Sequence, residues 1–222
     1  MPVPDSWPHA AGRGSAVTFK PGWVLKSGGT FAGNNAQNLT SWIDMNNPSD
    51  TNGEWELLPN MVNEKERHNL VMLPDGKILA IGGKVDGEPY DIPIMAAEWF
   101  DPDPLDPHWE QLAVMVRPRG LHSTAVLLGD GRVLACGGDD HFDPDFFDTS
   151  ESGEIFSPPY LFVAGGGDAP RPKIGFAPTV VTYGSDFSVI LTRGSEVPVE
   201  EIDKVSFLRL GSVTHHFDQN QR

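Results

Sequence analysis

Short apolar stretches separated by glycine, proline and aspartate recur through the first two thirds of the chain. Residues 123–128 (Ser-Thr-Ala-Val-Leu-Leu) and 132–136 (Arg-Val-Leu-Ala-Cys) flank the pair Asp130-Gly131. Two apolar runs on either side of an Asp-Gly pair are typical of a β-hairpin. The same arrangement surrounds Asp75-Gly76. We therefore expect a protein built from short strands and tight turns.

Pairs of adjacent glycines begin at Gly28, Gly82 and Gly137, at intervals of roughly 54 residues. A Trp-Glu-x-Leu sequence, starting at Trp55 and again at Trp109, recurs with the same period. Four short strands and a glycine pair per repeat are typical of a kelch-type β-propeller blade. The prediction is an all-β fold in which the tryptophans pack between blades. We place about three blades of an incomplete ring within residues 1–162, at residues 14–60, 61–115 and 116–162.

The repeat ends before residues 163–170, whose run of glycines predicts a linker. Beyond this linker, apolar runs at 180–183, 187–192 and 205–210 predict three strands. We expect residues 171–222 to form a truncated immunoglobulin-like β-sandwich. Three blades do not close a ring. The chain is therefore expected to be a fragment of a longer protein.

Composition narrows the possible partners. The formal net charge of −15 predicts repulsion from phosphate backbones, so we expect no nucleic-acid partner. The sequence contains no run of 18 apolar residues, and its start lacks the pattern of a signal peptide. Cys136 is the single cysteine, which rules out an intrachain disulfide and a multi-cysteine zinc site.

Several motifs occur in an order that resembles a known family: 119–124, 130–134, 154–161, 171–174 and 212–215. They are similar to the C-terminal part of the galactose oxidase and glyoxal oxidase family of radical copper oxidases. The resemblance covers the whole chain. It implies a propeller followed by an immunoglobulin-like early-set domain.

The resemblance also implies a copper site. In that family two tyrosines and two histidines hold copper near the propeller axis. His122 matches the first histidine, and His215 matches the second, with His216 as the neighbouring alternative. Imidazole nitrogen is a suitable copper ligand. Both histidines are therefore candidate copper ligands.

The pocket predicted around this site departs from the family pattern. Leu121 stands where the family has the axial tyrosine that accepts the substrate proton, and leucine can neither bind metal nor move a proton. Arg67 and His68 occupy the corresponding place one blade earlier, so we expect them to face the same pocket. Cys136 is in the wrong strand to be the cysteine that the family joins to its second tyrosine.

Two functions stay open at this point. The first is a secreted radical copper oxidase that oxidises an alcohol or aldehyde with O₂ to give H₂O₂, as a divergent member without the axial tyrosine. The alternative is a non-catalytic module that binds carbohydrate or another partner, which the long loops at 84–94 and 139–153 favour. The family resemblance implies an extracellular or cell-surface location. The sequence does not specify an oligomeric state.

Overall fold

In the part of the chain that the structure describes, nearly all the regular secondary structure is β-structure. The computed structural model describes residues 12–31, 35–46, 55–87, 89–138, 142, 152–209, 211, 213–214 and 217–218. Within these residues there are two single-turn 3-10 helices, at Pro159–Leu161 and Val199–Glu201, and no α-helix. No helix in this described part is long and apolar enough to cross a membrane. The predicted all-β fold class is confirmed.

The strands, in chain order, are β1 (Ser15–Lys20), β2 (Trp23–Ser27), β3 (Thr30–Phe31), β4 (Asn35–Ala36), β5 (Thr40–Asp44), β6 (Glu56–Leu58), β7 (Asn69–Met72), β8 (Ile78–Ile81), β9 (Lys84–Val85), β10 (Ile92–Pro93), β11 (Ala96–Asp101), β12 (His108–Val114), β13 (Ser123–Leu127), β14 (Val133–Gly137), β15 (Gly153–Phe156), β16 (Ile174–Phe176), β17 (Ile190–Leu191), β18 (Val213–Thr214) and β19 (Phe217–Asp218).

Three sheets correspond to the three repeats, and we call them blades 1, 2 and 3. Blade 1 has the strand order β1-β2-β5-β6, and blade 2 has the order β7-β8-β11-β12. Every residue of β7 and of β8 is buried, as expected for apolar strands covered on both faces. In the described part of the chain, blade 3 has three strands, in the order β13-β14-β15.

Blade 3 begins with the hairpin predicted around Asp130-Gly131. β13 and β14 are antiparallel, with Ser123 opposite Gly137. The turn is closed by Leu128 N, which donates to Arg132 O at 2.8 Å. Gly131 has a φ of 87°, a conformation that glycine adopts without steric cost. The predicted hairpin is confirmed.

An apolar core lies where blades 1 and 2 meet. It includes Phe19 and Leu25 of blade 1 and Met72, Phe100 and Trp109 of blade 2. The Trp109 indole also donates a hydrogen bond across the interface, to Oγ1 of Thr40 at 3.0 Å. The predicted packing between blades is confirmed for this tryptophan.

A short hairpin near the end of the chain joins the first strand. β19 pairs with β1 in parallel, with Phe217 opposite Ala16, and β18 pairs antiparallel with β19. β19 also lies against β7, and β18 lies against β13. This hairpin therefore contacts the first strand of every blade. The sequence pattern did not predict this long-range pairing.

Residues Pro158–Phe207 form a second compact unit. Among the described residues of this unit, a short antiparallel ladder joins β16 to β17, with Ile174 opposite Leu191. Of the strand predicted at 187–192, only residues 190–191 form a strand, β17. No strand forms at 180–183, or in the described residues of 205–210. Those two predictions were wrong because an apolar run becomes a stable strand only when neighbouring strands complete a sheet.

Candidate functional site

The most unusual backbone of blade 3 lies just before β13. Gly120, Leu121, His122 and Ser123 form a β-turn that Ser123 N closes by donating to Gly120 O at 3.2 Å. His122 has a φ of 58° and is exposed, whereas Leu121 is half-buried. A residue with a side chain is strained in this left-handed conformation, typically by about 1 kcal/mol or more. Glycine would relieve the strain, yet the chain carries a histidine.

The same conformation recurs in the other two blades. Arg13 precedes β1 with a φ of 59°, and Arg67 precedes β7 with a φ of 58°. Each residue stands fifteen positions before the first glycine of its pair, as His122 does. All three left-handed residues therefore have the same place in their repeats, at the start of the first strand. In each case the side chain carries nitrogen atoms.

Glycines at the end of β14 make room for the turn. Gly137 and Gly138 have φ values of 73° and 116°. A Cβ atom on Gly137 would lie only 2.8 Å from the carbonyl oxygen of His122. Any larger residue would push the turn away from the strand. The glycine pair is thus required by the close approach of the His122 backbone.

Two charged side chains fix the segment that leads into the turn. The carboxylate of Glu154 accepts from Val116 N at 2.7 Å and from Arg117 N at 2.8 Å. The buried guanidinium of Arg119 donates to the carbonyl oxygens of Gly137, at 2.9 Å, and Ser152, at 2.8 Å. The approach to His122 is therefore tied to both β14 and β15.

The predicted pocket residues of blade 2 have different surroundings. Arg67 donates through Nε to the carboxylate of Glu66 at 3.1 Å. His68 is fully buried, and its Nε2 lies 2.9 Å from Oγ of Ser27 in blade 1. Arg67 is thus partly exposed, whereas the side chain of His68 is enclosed between blades 1 and 2.

A group of ion pairs surrounds Arg67. Nζ of Lys84 lies 2.6 Å from Asp86 and 2.7 Å from Asp91, and Nη1 of Arg13 lies 3.3 Å from both Glu66 and Asp86. The hydrogen bond from Lys84 holds the pKa of Asp86 below its ordinary value, and burial opposes this shift. The sequence interpretation missed this cluster. The occurrence of Arg13 and Arg67 at the same repeat position could have indicated it.

His215 and His216 lie outside the described residues, between β18 and β19. Phe217, the first residue of β19, pairs with Ala16 near the start of β1. β19 therefore begins at the end of blade 1 where Arg13 lies. Arg13 has the repeat position that His122 has in blade 3.

Copper would need several donors. Among the described residues, no three His, Cys, Asp or Glu side chains come together as a metal site. His122 supplies one imidazole, which is chemically suited to copper, and Leu121 supplies no donor. Within this part of the chain, the predicted site therefore contains a single copper ligand, His122.

Comparison with known proteins agrees with this architecture. Residues 171–222 match the family model described as "Galactose oxidase-like, Early set domain". The chain is 35% identical over 163 residues to an aldehyde oxidase GLOX of Vitis pseudoreticulata, and 32% identical over 164 residues to a galactose oxidase of Gibberella zeae. These alignments include 69% and 70% of this chain.

A fungal alcohol oxidase solved in complex with copper has a similar fold, with a TM-score of 0.74 and 23% sequence identity. The match covers 96% of this chain and 44% of that structure. The chain spans only 30% of the Vitis relative and 22% of the Gibberella relative. The fold is thus similar to that of part of the fungal alcohol oxidase structure. The chain itself belongs to the galactose oxidase and glyoxal oxidase-like family.

Proposed function

We propose that this chain provides part of a copper site in a protein that oxidises alcohols or aldehydes, with His122 and His215 as imidazole ligands. The observation that carries the proposal is the left-handed conformation of the exposed His122. Strained residues of this kind concentrate at functional sites, where the position of a side chain outweighs its conformational cost. The names of the relatives, aldehyde oxidase and galactose oxidase, indicate the substrate class.

The position of the last hairpin supports the pairing of these two histidines. β18, which directly precedes His215, lies against β13, which directly follows His122. Copper bound by one histidine from the last hairpin and one from the start of blade 3 would join these two elements. Such a site would stabilise the fold as well as hold the metal.

The proposed reaction transfers two electrons and two protons from the alcohol or aldehyde hydrate to O₂, which becomes H₂O₂. Bound copper would supply one one-electron acceptor, and a side-chain radical, as in the radical copper oxidases that the sequence resembles, would supply the second. Leu121 cannot accept the proton of the substrate hydroxyl, so the protein is proposed as a divergent member in which another group takes that proton. We further propose an extracellular or cell-surface location.

Leu121 itself favours a second candidate function. Its apolar side chain replaces a proton acceptor and leaves a half-buried hydrocarbon surface beside His122. A module that binds carbohydrate or another partner without catalysis needs no acceptor at this place. This alternative predicts ligand binding that survives the loss of His122 and His215.

Copper titration of the 222-residue protein tests the first proposal. We expect one equivalent of Cu²⁺ to bind, with a paramagnetic resonance spectrum showing nitrogen coupling. His122→Ala and His215→Ala should each weaken binding at least tenfold. His108→Ala is the matched control, because His108 is a half-exposed histidine on the outer strand of blade 2.

Peroxide release with alcohol and aldehyde substrates then separates the two functions. Turnover that requires both histidines supports the oxidase. If the native protein binds no copper at equimolar metal, the oxidase proposal fails. Carbohydrate binding that persists in both histidine variants would then favour the binding module.

A further inference from the structure

Blades 2 and 3 share a device that fixes the segment before the first strand. In blade 2, the backbone carbonyl of Lys65 accepts from Gly29 N of blade 1 at 2.9 Å. In blade 3, the carbonyl of Arg119 accepts from Gly83 N of blade 2 at 2.7 Å. Each of these two glycine pairs therefore binds the backbone of a buried cationic residue in the next blade.

The side chain of that cation then binds its own blade. Lys65 Nζ lies 2.7 Å from Glu98 on β11, and Arg119 Nη2 lies 3.4 Å from Glu154 on β15. Glu98 also accepts from Val62 N at 2.7 Å, just as Glu154 accepts from Val116 N. The two clasps, Lys65–Glu98 and Arg119–Glu154, hold equivalent segments of backbone.

The clasps differ in the distance along the chain from the cation to the left-handed residue. Arg67 is the second residue after Lys65, whereas His122 is the third residue after Arg119. The extra residue allows the Gly120–Ser123 turn. Arg119 also reaches farther than Lys65, because its guanidinium donates to Gly137 O at 2.9 Å. Gly137 is the residue against which the carbonyl of His122 packs.

We infer that Arg119 is a positioning residue for His122. Its carbonyl fixes one side of the turn to blade 2, and its guanidinium fixes the strand end on which the turn rests. Lysine at this position would keep the backbone carbonyl. It could not replace the guanidinium, because it carries one nitrogen where arginine presents a planar fork of donors. Any effect of Arg119 on bound copper depends on the proposed copper site, whereas its effect on the position of His122 does not.

Paired replacements test this role without leaving a buried charge alone. Arg119→Met with Glu154→Gln removes the clasp of blade 3, and Lys65→Met with Glu98→Gln removes the clasp of blade 2 as the matched control. Arg119→Lys keeps the charge but loses the forked contacts. Each full-length variant is compared by its thermal midpoint, by the NMR resonances of His122, and by Cu²⁺ binding.

Both paired variants are expected to melt at lower temperatures than the native protein. The blade 3 variant alone should shift the His122 imidazole resonances, weaken Cu²⁺ binding about tenfold and alter the copper resonance spectrum. Arg119→Lys should give the same changes in smaller measure. Equal effects of the two paired variants at His122 would overturn the inference.

The two proposals fail in distinguishable ways. Absence of copper binding by the native protein would remove the proposed copper site. The His122 resonances would still decide the positioning role, because they require no metal. An unchanged imidazole in the blade 3 variant would refute that role even if copper binds.

Discussion

Blades 2 and 3 are built from the same repeat but meet their surroundings differently. Blade 2 is sealed by β12, and the indole of Trp99 on β11 donates to Glu110 on that outer strand at 2.9 Å. In blade 3 the corresponding residue of β15 is Ile155, which is 51% exposed. Beside it lies a cavity of about 320 Å³, lined in part by Val114 of blade 2 and by Val116. The inner strands of the two blades therefore follow the repeat. Residue differences, such as Trp99 in blade 2 and Ile155 in blade 3, distinguish their outer edges.

The difference extends to the charged clasps. Lys65 and Glu98 are both fully buried, whereas Glu154 in blade 3 is 23% exposed. Burial lowers the pKa of Lys65, and the neighbouring carboxylate of Glu98 opposes this effect. Blade 2 thus relies on a charge pair that water cannot replace, whereas blade 3 keeps a partly solvated pair beside an exposed histidine.

The largest effect should come from breaking the buried pair of blade 2. Lys65→Met leaves Glu98 charged and enclosed, so we expect a loss of about 3–5 kcal/mol in the free energy of unfolding. Arg119→Met should cost less, about 2 kcal/mol, because water can reach Glu154. Urea unfolding measures both values. Equal losses would contradict the distinction between the two clasps.

Gly82→Ala tests the contact between the blades. A Cβ at this position would lie 2.4 Å from the carbonyl of Arg119, on a backbone with a φ of 77°. We expect a loss of about 2–3 kcal/mol from the clash and the backbone strain combined. Gly165→Ala is the control, because its φ is 91° but no atom lies within 4 Å. A similar cost at both glycines would show that strain alone decides.

A hydrogen bond specific to the interface of blades 1 and 2 gives a smaller effect. Trp109→Phe and Thr40→Val should each cost about 1 kcal/mol, because each removes the indole–hydroxyl bond. The double variant should cost less than the sum of the two. Ala97 of blade 2 occupies the position that Thr40 has in blade 1. Because alanine has no hydroxyl group, it cannot make the equivalent hydrogen bond to blade 3. Additive losses in a double-mutant cycle would argue against the bond.

Acid should weaken the ion pairs around Arg67. The Lys84 hydrogen bond lowers the pKa of Asp86 in the folded state, so this group stabilises the fold above its unfolded pKa of about 3.9. The contribution disappears as the pH falls through the lower folded pKa. Asp86→Asn should therefore flatten the decline in stability below about pH 4. In a Lys84→Met background, the same substitution should change the decline little.

The smallest expected change is a gain. His122→Gly removes the strain of a left-handed side chain, and we expect the free energy of unfolding to rise by up to about 1 kcal/mol. In Arg67→Gly the lost bond to Glu66 opposes the gain from relieved strain. Thermal melting of both variants measures the net changes. A destabilised His122→Gly protein would mean that the imidazole itself supports the fold.

The sequence was informative where structure depends on near neighbours. The hairpin from Ser123 to Gly137 followed from two apolar runs and one Asp-Gly pair. The clasp between Lys65 and Glu98 could not be predicted in this way, because charged residues separated by a hairpin are ordinarily exposed. The strand expected at 180–183 failed for a related reason, since its sheet partners are specified elsewhere in the chain.

The candidate site shows the same limit. The motif containing His122 was recognised from the sequence, but its left-handed backbone was not. Histidine is enriched in that conformation relative to most residues, but it adopts the conformation too rarely for the sequence to predict it. The turn depends on Gly137 and on Arg119, which act through space. Only the folded chain brings these three residues together.

The pairing of β1 with β19 has a consequence for synthesis. Ala16 leaves the ribosome long before Phe217, its partner across the ladder. At about 5–20 residues per second, the intervening chain takes roughly 10–40 s to make. The outer backbone edge of β1 lacks this partner throughout that interval and is a template for wrong pairings. The edge therefore stays open to wrong pairing until β19 has been translated.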